Sequence, residues 1–469
     1  MSSPSSSSKA PGRNWNARTA ACEILRKIEQ YDVFADEAFD RFTRRIHLHK
    51  QDLSLAFDLV YGVLRHRGTL DWHINLVADR PIHRLPASVA QALRLGAYQI
   101  RYLDKIPHSA AVNESVKLVK TTPGRNWAGF VNGVLRSLCR LPIPPWPEVS
   151  EDPVTALSIR YSCPPWLTER WISRFGLEGA QRACRHAATI PPLTLRTNTL
   201  RCSPNALEAR LIQEGYHVRR TTVSPVGMVL EKCGSLSNLQ PLQEGWCYVE
   251  DEAAQLVPLL LDVKPGHRVL DACAAPGGKA THIAALMKNQ GEIIAIDKNP
   301  KRLKVLEENC RRLGVCILTP ILASVGENWS DAKEHGSLTE ESFDRILVDA
   351  PCSGMGVLNR HPEAKWHKGP DRLEVHSMAQ NQILEHVWRL LRPGGVLVYS
   401  ACSTEPEETI QVISRFCRAH PEFYHEASTP WLPPLGRFLV NQDGDLLTMA
   451  TPYPMDGFFA ARLRKEETL

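Results

Sequence analysis

From residue 251 to the C-terminus, short aliphatic runs alternate with helix-length amphipathic segments, a rhythm that few folds accommodate. Strands are expected at 268–272, 292–297, 316–322, 345–349 and 396–400, and helices at 279–288, 301–313, 375–391 and 405–418. Parallel strands need a long crossover, and a helix is the usual one. The alternation therefore predicts a parallel sheet covered by helices on both faces. Ligands of such sheets bind beyond the carboxyl ends of the strands, and the residues with chemical character gather there.

The front of the chain reads differently. Leu53, Ala56, Phe57, Val60, Val63 and Leu64 recur in steps that line one helix face, and Ala90, Leu93, Ala97 and Ile100 repeat the pattern. Breaks fall at Arg80-Pro81, Leu85-Pro86 and Ile106-Pro107, where proline disfavours helical geometry in the preceding residue. An all-helical domain over 13–145 is expected. The stretch Leu141-Pro-Ile-Pro-Pro-Trp-Pro147 is stiff and poor in amide donors, so it marks a linker with a boundary near 146. Residues 146–250 mix helices at 165–175 and 204–214 with extended segments at 193–198, 226–230 and 246–249, which suggests a small α+β unit before the sheet domain of 251–469. Residues 1–12 carry six serines and no apolar run, so they read as a disordered tail and not as a signal peptide.

Charge follows the same division. Residues 1–145 carry 21 Lys and Arg against 12 Asp and Glu, leaving 35 against 39 in the remainder. The basic front suits a polyanion; Arg65, Arg67, Arg94, Arg101, Lys117 and Lys120 are its candidate phosphate-binding groups, with scattered surface charge the alternative. The 13 cysteines form no CxxC pair, which argues against a zinc site, and their odd number over a long chain suits free thiols in a reducing, cytoplasmic compartment. No run of eighteen apolar residues is present, so neither a membrane span nor a metal is expected.

Three motifs carry chemistry. Asp271-Ala-Cys-Ala-Ala-Pro-Gly-Gly-Lys279 lies between a strand and a helix, where Gly277 and Gly278 let a ligand approach the backbone. The pattern matches neither the phosphate loop nor the dinucleotide fingerprint. Asp297 ends the next strand, placed to bind ribose hydroxyls. A glycine loop and an acid without a phosphate signature fit S-adenosylmethionine, a nucleoside with hydroxyls and no phosphate. The second motif, Asp349-Ala-Pro-Cys-Ser-Gly354, and the third, Tyr399-Ser-Ala-Cys-Ser-Thr404, each place a cysteine just beyond a strand. Alone, either would pass for a small core residue. As a pair on one rim they suggest a thiol nucleophile and its partner.

These motifs, with the closing Asp456-Gly-Phe-Phe-Ala460, resemble those of the RNA 5-methylcytosine methyltransferases, the Sun/Fmu superfamily. At the front, Tyr61-Gly-Val-Leu-Arg65, Leu70-Asp-Trp-His-Ile-Asn75, Ile106-Pro-His-Ser-Ala110, Glu114 and Val131-Asn-Gly-Val-Leu-Arg136 resemble a NusB-type helical domain. The fusion is similar to the bacterial 16S rRNA cytosine methyltransferases. The resemblance implies a Rossmann-like S-adenosylmethionine-dependent domain, preceded by an all-α NusB-like RNA-binding domain and a small ferredoxin- or RRM-like segment.

By the same resemblance Cys402 attacks carbon 6 of cytosine, Cys352 assists loss of the carbon-5 proton, and Asp349 hydrogen-bonds the base. DNA cytosine methyltransferases instead hold their nucleophile in a Pro-Cys pair, here Pro351-Cys352, so the opposite assignment stays open. Implied cofactor contacts are Cys273, Ala274, Ala275, Pro276, Gly277, Gly278, Lys279, Asp297 and Asp349. The family's acid for the adenine amino group is missing from Leu322-Ala-Ser-Val-Gly-Glu327, where Ser324 or Glu327 would substitute. Arg360, Lys365 and Trp366, just after the second motif, are candidates to grip RNA phosphate and stack a base. The expected partner is 16S rRNA, bound by a monomer; tRNA, or a NusB-like binding factor with a vestigial enzyme domain, are the alternatives.

Overall fold

The computed structural model describes residues 15–467 except 121, 123–125, 143, 232–235, 326–337, 368, 450 and 452, so the serine-rich tail and Glu327 lie outside the described residues. The chain divides into two compact units: residues up to 188 together with 361–367, and 189–360 together with the rest.

The first unit is helical: α1 (Ala17–Tyr31), α2 (Ala35–Thr43), α3 (Lys50–Asn75), α4 (Ala87–Tyr102), α5 (His108–Val119), α6 (Trp127–Arg140), α7 (Pro153–Tyr161) and α8 (Pro165–Ala188). A capping box starts α1, with Asn16 accepting from the Arg18 and Thr19 amides while Thr19 accepts from the Asn16 amide. Ile24, Leu25, Leu59, Val60, Leu93, Val131 and Leu135 are buried in its core, and burial of such side chains stabilises by about 2 kcal/mol each. Phe57 departs from the expected core face: it is half exposed, one position round the helix from buried Ala56, and tilts against Tyr61.

The expected boundary near 146 is not where contacts thin. Asp152 caps α7 and Pro153 begins it, and α7 is tied to α3 by bonds from the Thr69 hydroxyl to the Ile159 carbonyl (2.6 Å) and from the Gly68 amide to the Ser162 hydroxyl (2.8 Å). Helices α7 and α8 thus belong with the helical unit.

The second unit holds two sheets. The smaller is antiparallel, in the order β2 (Val218–Arg220), β3 (Gly227–Leu230), β1 (Leu193–Thr197), β4 (Cys247–Val249), accompanied by α9 (Pro204–Gln213). The larger runs β10 (Phe423–Glu426), β12 (Phe459–Lys465), β9 (Leu391–Ala401), β8 (Phe343–Asp349), β5 (Arg268–Asp271), β6 (Glu292–Asp297), β7 (Leu318–Leu322), with β11 (Leu446–Leu447) paired to β12. From β7 to β9 neighbours are parallel; β12 is antiparallel to both β9 and β10. After α10 (Gln240–Gln243) and α11 (Glu252–Leu256), the helices α12 (Gly278–Leu286), α13 (Pro300–Leu313), α14 (Asp371–Val387) and α15 (Ile410–Ala419) connect the strands.

The strand order reverses at β5. Its chain successor β6 lies on one side and β8 on the other, which opens a crevice at the carboxyl ends of β5 and β8. Among the described residues no helix is long and apolar enough to cross a membrane, and no group of three His, Cys, Asp or Glu could hold a metal ion.

Candidate active site

A cavity of about 370 Å³ opens at that crevice. Of the residues expected there, Cys273, Ala274, Ala275, Pro276, Gly278, Lys279, Asp297, Ser324, Asp349, Cys352 and Cys402 line it. Gly277 does not. It precedes α12 with φ of 105°, and a Cβ there would lie 2.4 Å from Leu306 Cδ1, so its lack of a side chain serves the turn and the packing of α13 rather than ligand contact.

The parallel pairing of β8 with β9 brings the two cysteines together. Asp349 is in register with Ser400, the Ala350 amide donates to the Ser400 carbonyl (2.8 Å), and the Gly356 amide donates to the Cys402 carbonyl (3.0 Å). Cys352 Sγ and Cys402 Sγ are 3.1 Å apart, both as free thiols. The bond with Cys402, and then burial, push the Cys352 thiol well above its usual range. That direction favours the protonated form of Cys352.

Beside the thiols, Asp349 accepts from Lys279 Nζ (2.7 Å) through Oδ2 and from the Ser400 hydroxyl (2.7 Å) through Oδ1. Burial is the largest single effect and opposes the charge on Lys279, but Asp349 and, after it, Glu250 together hold the ammonium above its ordinary range. Lys279 also lies 4.9 Å from the centre of the Phe458 ring, from the closing motif. Lys279 thus engages Asp349 and Phe458 rather than serving the glycine loop alone.

At the far side Asp297 is buried, with Oδ2 accepting from the Ala275 amide (3.2 Å) and Oδ1 from the Asn299 amide (2.9 Å). These bonds fix the carboxylate at the cavity edge. Asp271 is more unusual. It is 1% exposed, Oδ1 accepts from the Cys273 amide at 3.4 Å, and Oδ2 has no partner among the described residues. Burial, with Asp349 nearby, pushes its carboxyl up to about 7.

Reading the sequence missed the contribution of the small sheet. Tyr248 and Glu250 also line the cavity, and buried Glu250 pairs with buried Arg196 at 2.7 Å, whose guanidinium also donates to the Gly278 carbonyl and to Thr281 Oγ1 (2.8 Å). A Cβ on Gly278 would lie 2.6 Å from Glu250 Oε1, so glycine is required for the closeness of α12 to that carboxylate. No local motif marks these residues.

The expected RNA grip is corrected. Arg360 is held by Asp456 (2.6 Å) and Asp251 (2.8 Å), both buried. Lys365, in the single turn Ala364–His367 of the helical unit, is fully buried with Nζ on the Arg65 carbonyl (3.3 Å). The Trp366 ring lies 5.3 Å from the Arg67 guanidinium. These residues anchor the fold; the charged ends of Arg360 and Lys365 are committed to partners within it rather than free to grip phosphate. Among the candidate phosphate-binding groups of the basic front, Arg65 and Arg94 are buried, Arg94 on Asp71 (2.7 and 2.9 Å), Arg67 pairs with Glu29 (3.0 Å) and Lys117 with Glu114 (2.6 Å), while Lys120 is exposed.

Comparison with known proteins matches three successive parts of the chain, with the NusB match ending and the ferredoxin-like match beginning on either side of residue 146. Residues 258–464 match the model of the 16S rRNA methyltransferase RsmB/F family, residues 15–140 that of the NusB family, and residues 163–237 that of the ferredoxin-like domain of RsmF/B-like methyltransferases. The probable ribosomal RNA small subunit methyltransferase B of Bacillus subtilis is 36% identical over 453 residues, 96% of this chain and 99% of its own. The ribosomal RNA small subunit methyltransferase B of Pseudomonas putida is 34% identical, covering 89% and 91%. The crystal structure of PH0851 shares the fold with a TM-score of 0.76 at 24% identity, over 97% of this chain and 100% of that one. A methyltransferase homolog from Pyrococcus horikoshii is 28% identical with a TM-score of 0.56, over 67% of this chain and 99% of that one.

Proposed function

The chain belongs to the RsmB/F family of 16S rRNA methyltransferases, and from that premise we propose that it methylates carbon 5 of a cytosine in 16S rRNA, as a cytoplasmic monomer, with Cys402 as covalent nucleophile. One observation carries the reading: two thiols 3.1 Å apart share a cavity wall with a Lys279–Asp349 pair. S-adenosylmethionine, when bound, supplies an electrophilic methyl group. The residues present suit it. Asp297 would offer its remaining lone pairs to ribose hydroxyls, Ser324 would border the adenine, and Asp271 Oδ2, without a partner among the described residues, would answer a cationic amino or sulfonium group.

The chain's own groups then act as follows. Asp349, with Oδ2 on Lys279 and Oδ1 on Ser400, still has lone pairs to accept from the cytosine amino group and orient the ring. Lys279 places positive charge where the ring gains electrons. Cys402, its proton lost to solvent, forms a sulfur bond to carbon 6, and the carbon 5–carbon 6 π pair moves to carbon 5, which would then take the cofactor's methyl group, the methyl–sulfonium bond breaking to leave a thioether. Loss of the carbon-5 proton restores the double bond and returns the carbon 6–sulfur pair to Cys402. Cys352 takes up that proton as its own S–H hydrogen passes to the departing Cys402 sulfur 3.1 Å away, so both thiols end protonated. The target carbon is shielded in a stacked helix, so the cytosine enters unpaired or flipped out.

The test is transfer of tritiated methyl to 16S rRNA, to assembled small subunits and to tRNA, followed by bisulfite sequencing. Label at one 16S cytosine is expected. Label on tRNA alone would move the substrate, and no label on any RNA would leave a NusB-like binding factor.

A further inference from the structure

Beneath the two cysteine loops lies a carboxylate that the reaction does not use. Glu408, on the short 3-10 helix Pro406–Glu408, is fully buried. One side chain accepts from three donors: the Ser353 amide (2.6 Å), the Ser353 hydroxyl (2.5 Å) and the Ser403 hydroxyl (2.5 Å). Ser353 follows Cys352 in the chain and Ser403 follows Cys402. The Tyr399 hydroxyl, from β9, donates to the Glu408 carbonyl (2.5 Å) and so fixes the turn from which the carboxylate rises.

We propose that Glu408 is a positioning residue, a buried brace that joins the Cys352 loop to the Cys402 loop and holds the two thiols in contact for proton transfer between them. The two loops otherwise meet through the Ala350–Ser400 and Gly356–Cys402 backbone bonds and the Ser400–Asp349 bond, none of which reaches the residues that follow the cysteines, and a 3.1 Å sulfur contact requires both ends to be fixed. The two hydroxyls are themselves 3.4 Å apart, so a neutral replacement cannot gather them equally well. Charge adds a second effect: Glu408 is among the groups that keep Cys352 protonated, after the bond with Cys402 and burial. Burial pushes the Glu408 carboxyl above its ordinary range while the Ser353 and Ser403 bonds oppose that rise, and exchanging an accepting oxygen for a donating NH2 leaves a buried donor without its acceptor.

The inference rests on the reading of Cys402 and Cys352 as the reacting pair, and its test is separable from that reading. In protein free of RNA and cofactor, diamide removes two hydrogens from a thiol pair and is itself reduced to the hydrazine, leaving a disulfide. The rate of Cys352–Cys402 disulfide formation, followed by peptide mass spectrometry, therefore reports thiol contact without any methyl transfer. Glu408→Gln is expected to slow it at least tenfold and to lower kcat at least tenfold, with KM for S-adenosylmethionine within twofold of wild type. Wild-type disulfide rate and kcat in folded Glu408→Gln protein would overturn the proposal, as would equal losses in kcat and cofactor binding. If Glu408→Gln does not fold, Ser403→Ala and Ser353→Ala each remove one hydroxyl donor and are expected to slow both rates about threefold; unchanged rates in both would overturn it. Methyl transfer retained in Cys402→Ala would instead refute the assignment of the pair while leaving the disulfide rates to judge Glu408.

Discussion

Replacing Asp271 by asparagine removes one ionisable group from a buried site whose second oxygen has no partner among the described residues. In the unfolded chain this carboxyl titrates near 3.8, and in the folded protein burial and Asp349 raise it to about 7. Between those pH values the native state holds a proton that the unfolded state has lost, so stability falls as pH rises through the window and levels off above about 7. At about 1.4 kcal/mol per pH unit the gap corresponds to roughly 4 kcal/mol, of which roughly 2–3 kcal/mol develops between pH 5 and 8. The carboxamide oxygen of the substituted side chain still accepts from the Cys273 amide, so the substitution changes mainly the charge. Urea unfolding of both proteins from pH 5 to 8 should show Asp271→Asn gaining stability over wild type as pH rises. A difference that stays flat over this range would mean Asp271 is ionised throughout, and the reasoning fails. Binding of a cationic cofactor analogue near pH 6 should also release a proton from wild type and none from Asp271→Asn, read by calorimetry in buffers of different ionisation enthalpy.

Lys279→Met removes the cation 2.7 Å from Asp349 and should lower methyl transfer by about 100-fold or more, near 3 kcal/mol of transition-state stabilisation, with the circular dichroism unchanged. Arg360→Ala leaves Asp251 and Asp456 facing each other without their shared cation; a loss of about 3 kcal/mol in unfolding free energy is expected. That loss should be largest above pH 7, because Asp456, pushed up to about 7 by burial and then Asp251, is neutral below it. The salt dependence of RNA binding by Arg360→Ala should match wild type, since the guanidinium is committed within the fold.

The parallel strands were legible because aliphatic runs such as Arg345-Ile-Leu-Val348 stand out against their flanks, and the glycine loop and both cysteines fell at strand ends as the motifs implied. Strand β12 was not. Phe-Ala-Ala-Arg-Leu-Arg-Lys mixes charge with apolar residues, because Arg462 is buried against Glu426 (2.7 Å), a partner 36 residues away. The same limit explains Arg360, Lys365 and Trp366. A basic and aromatic loop reads identically whether its ends meet phosphate or buried carboxylates and carbonyls, since burial is decided by distant segments. Glu250 and Tyr248 reached the cavity through pairing of the small sheet, and Glu408 through a fold-wide closure of two loops. None of these carries a local signature.

The central claim is that Cys402 bonds to the base while Cys352 handles its proton. An RNA substrate carrying 5-fluorocytosine at the target position tests it directly, because carbon 5 then has no proton to lose and the adduct persists. Incubation with S-adenosylmethionine, nuclease digestion and peptide mass spectrometry should place the nucleotide on the peptide containing Cys402, with Cys352 unmodified. Attachment to Cys352, or methyl transfer to unmodified RNA with no adduct on either cysteine, would contradict the account.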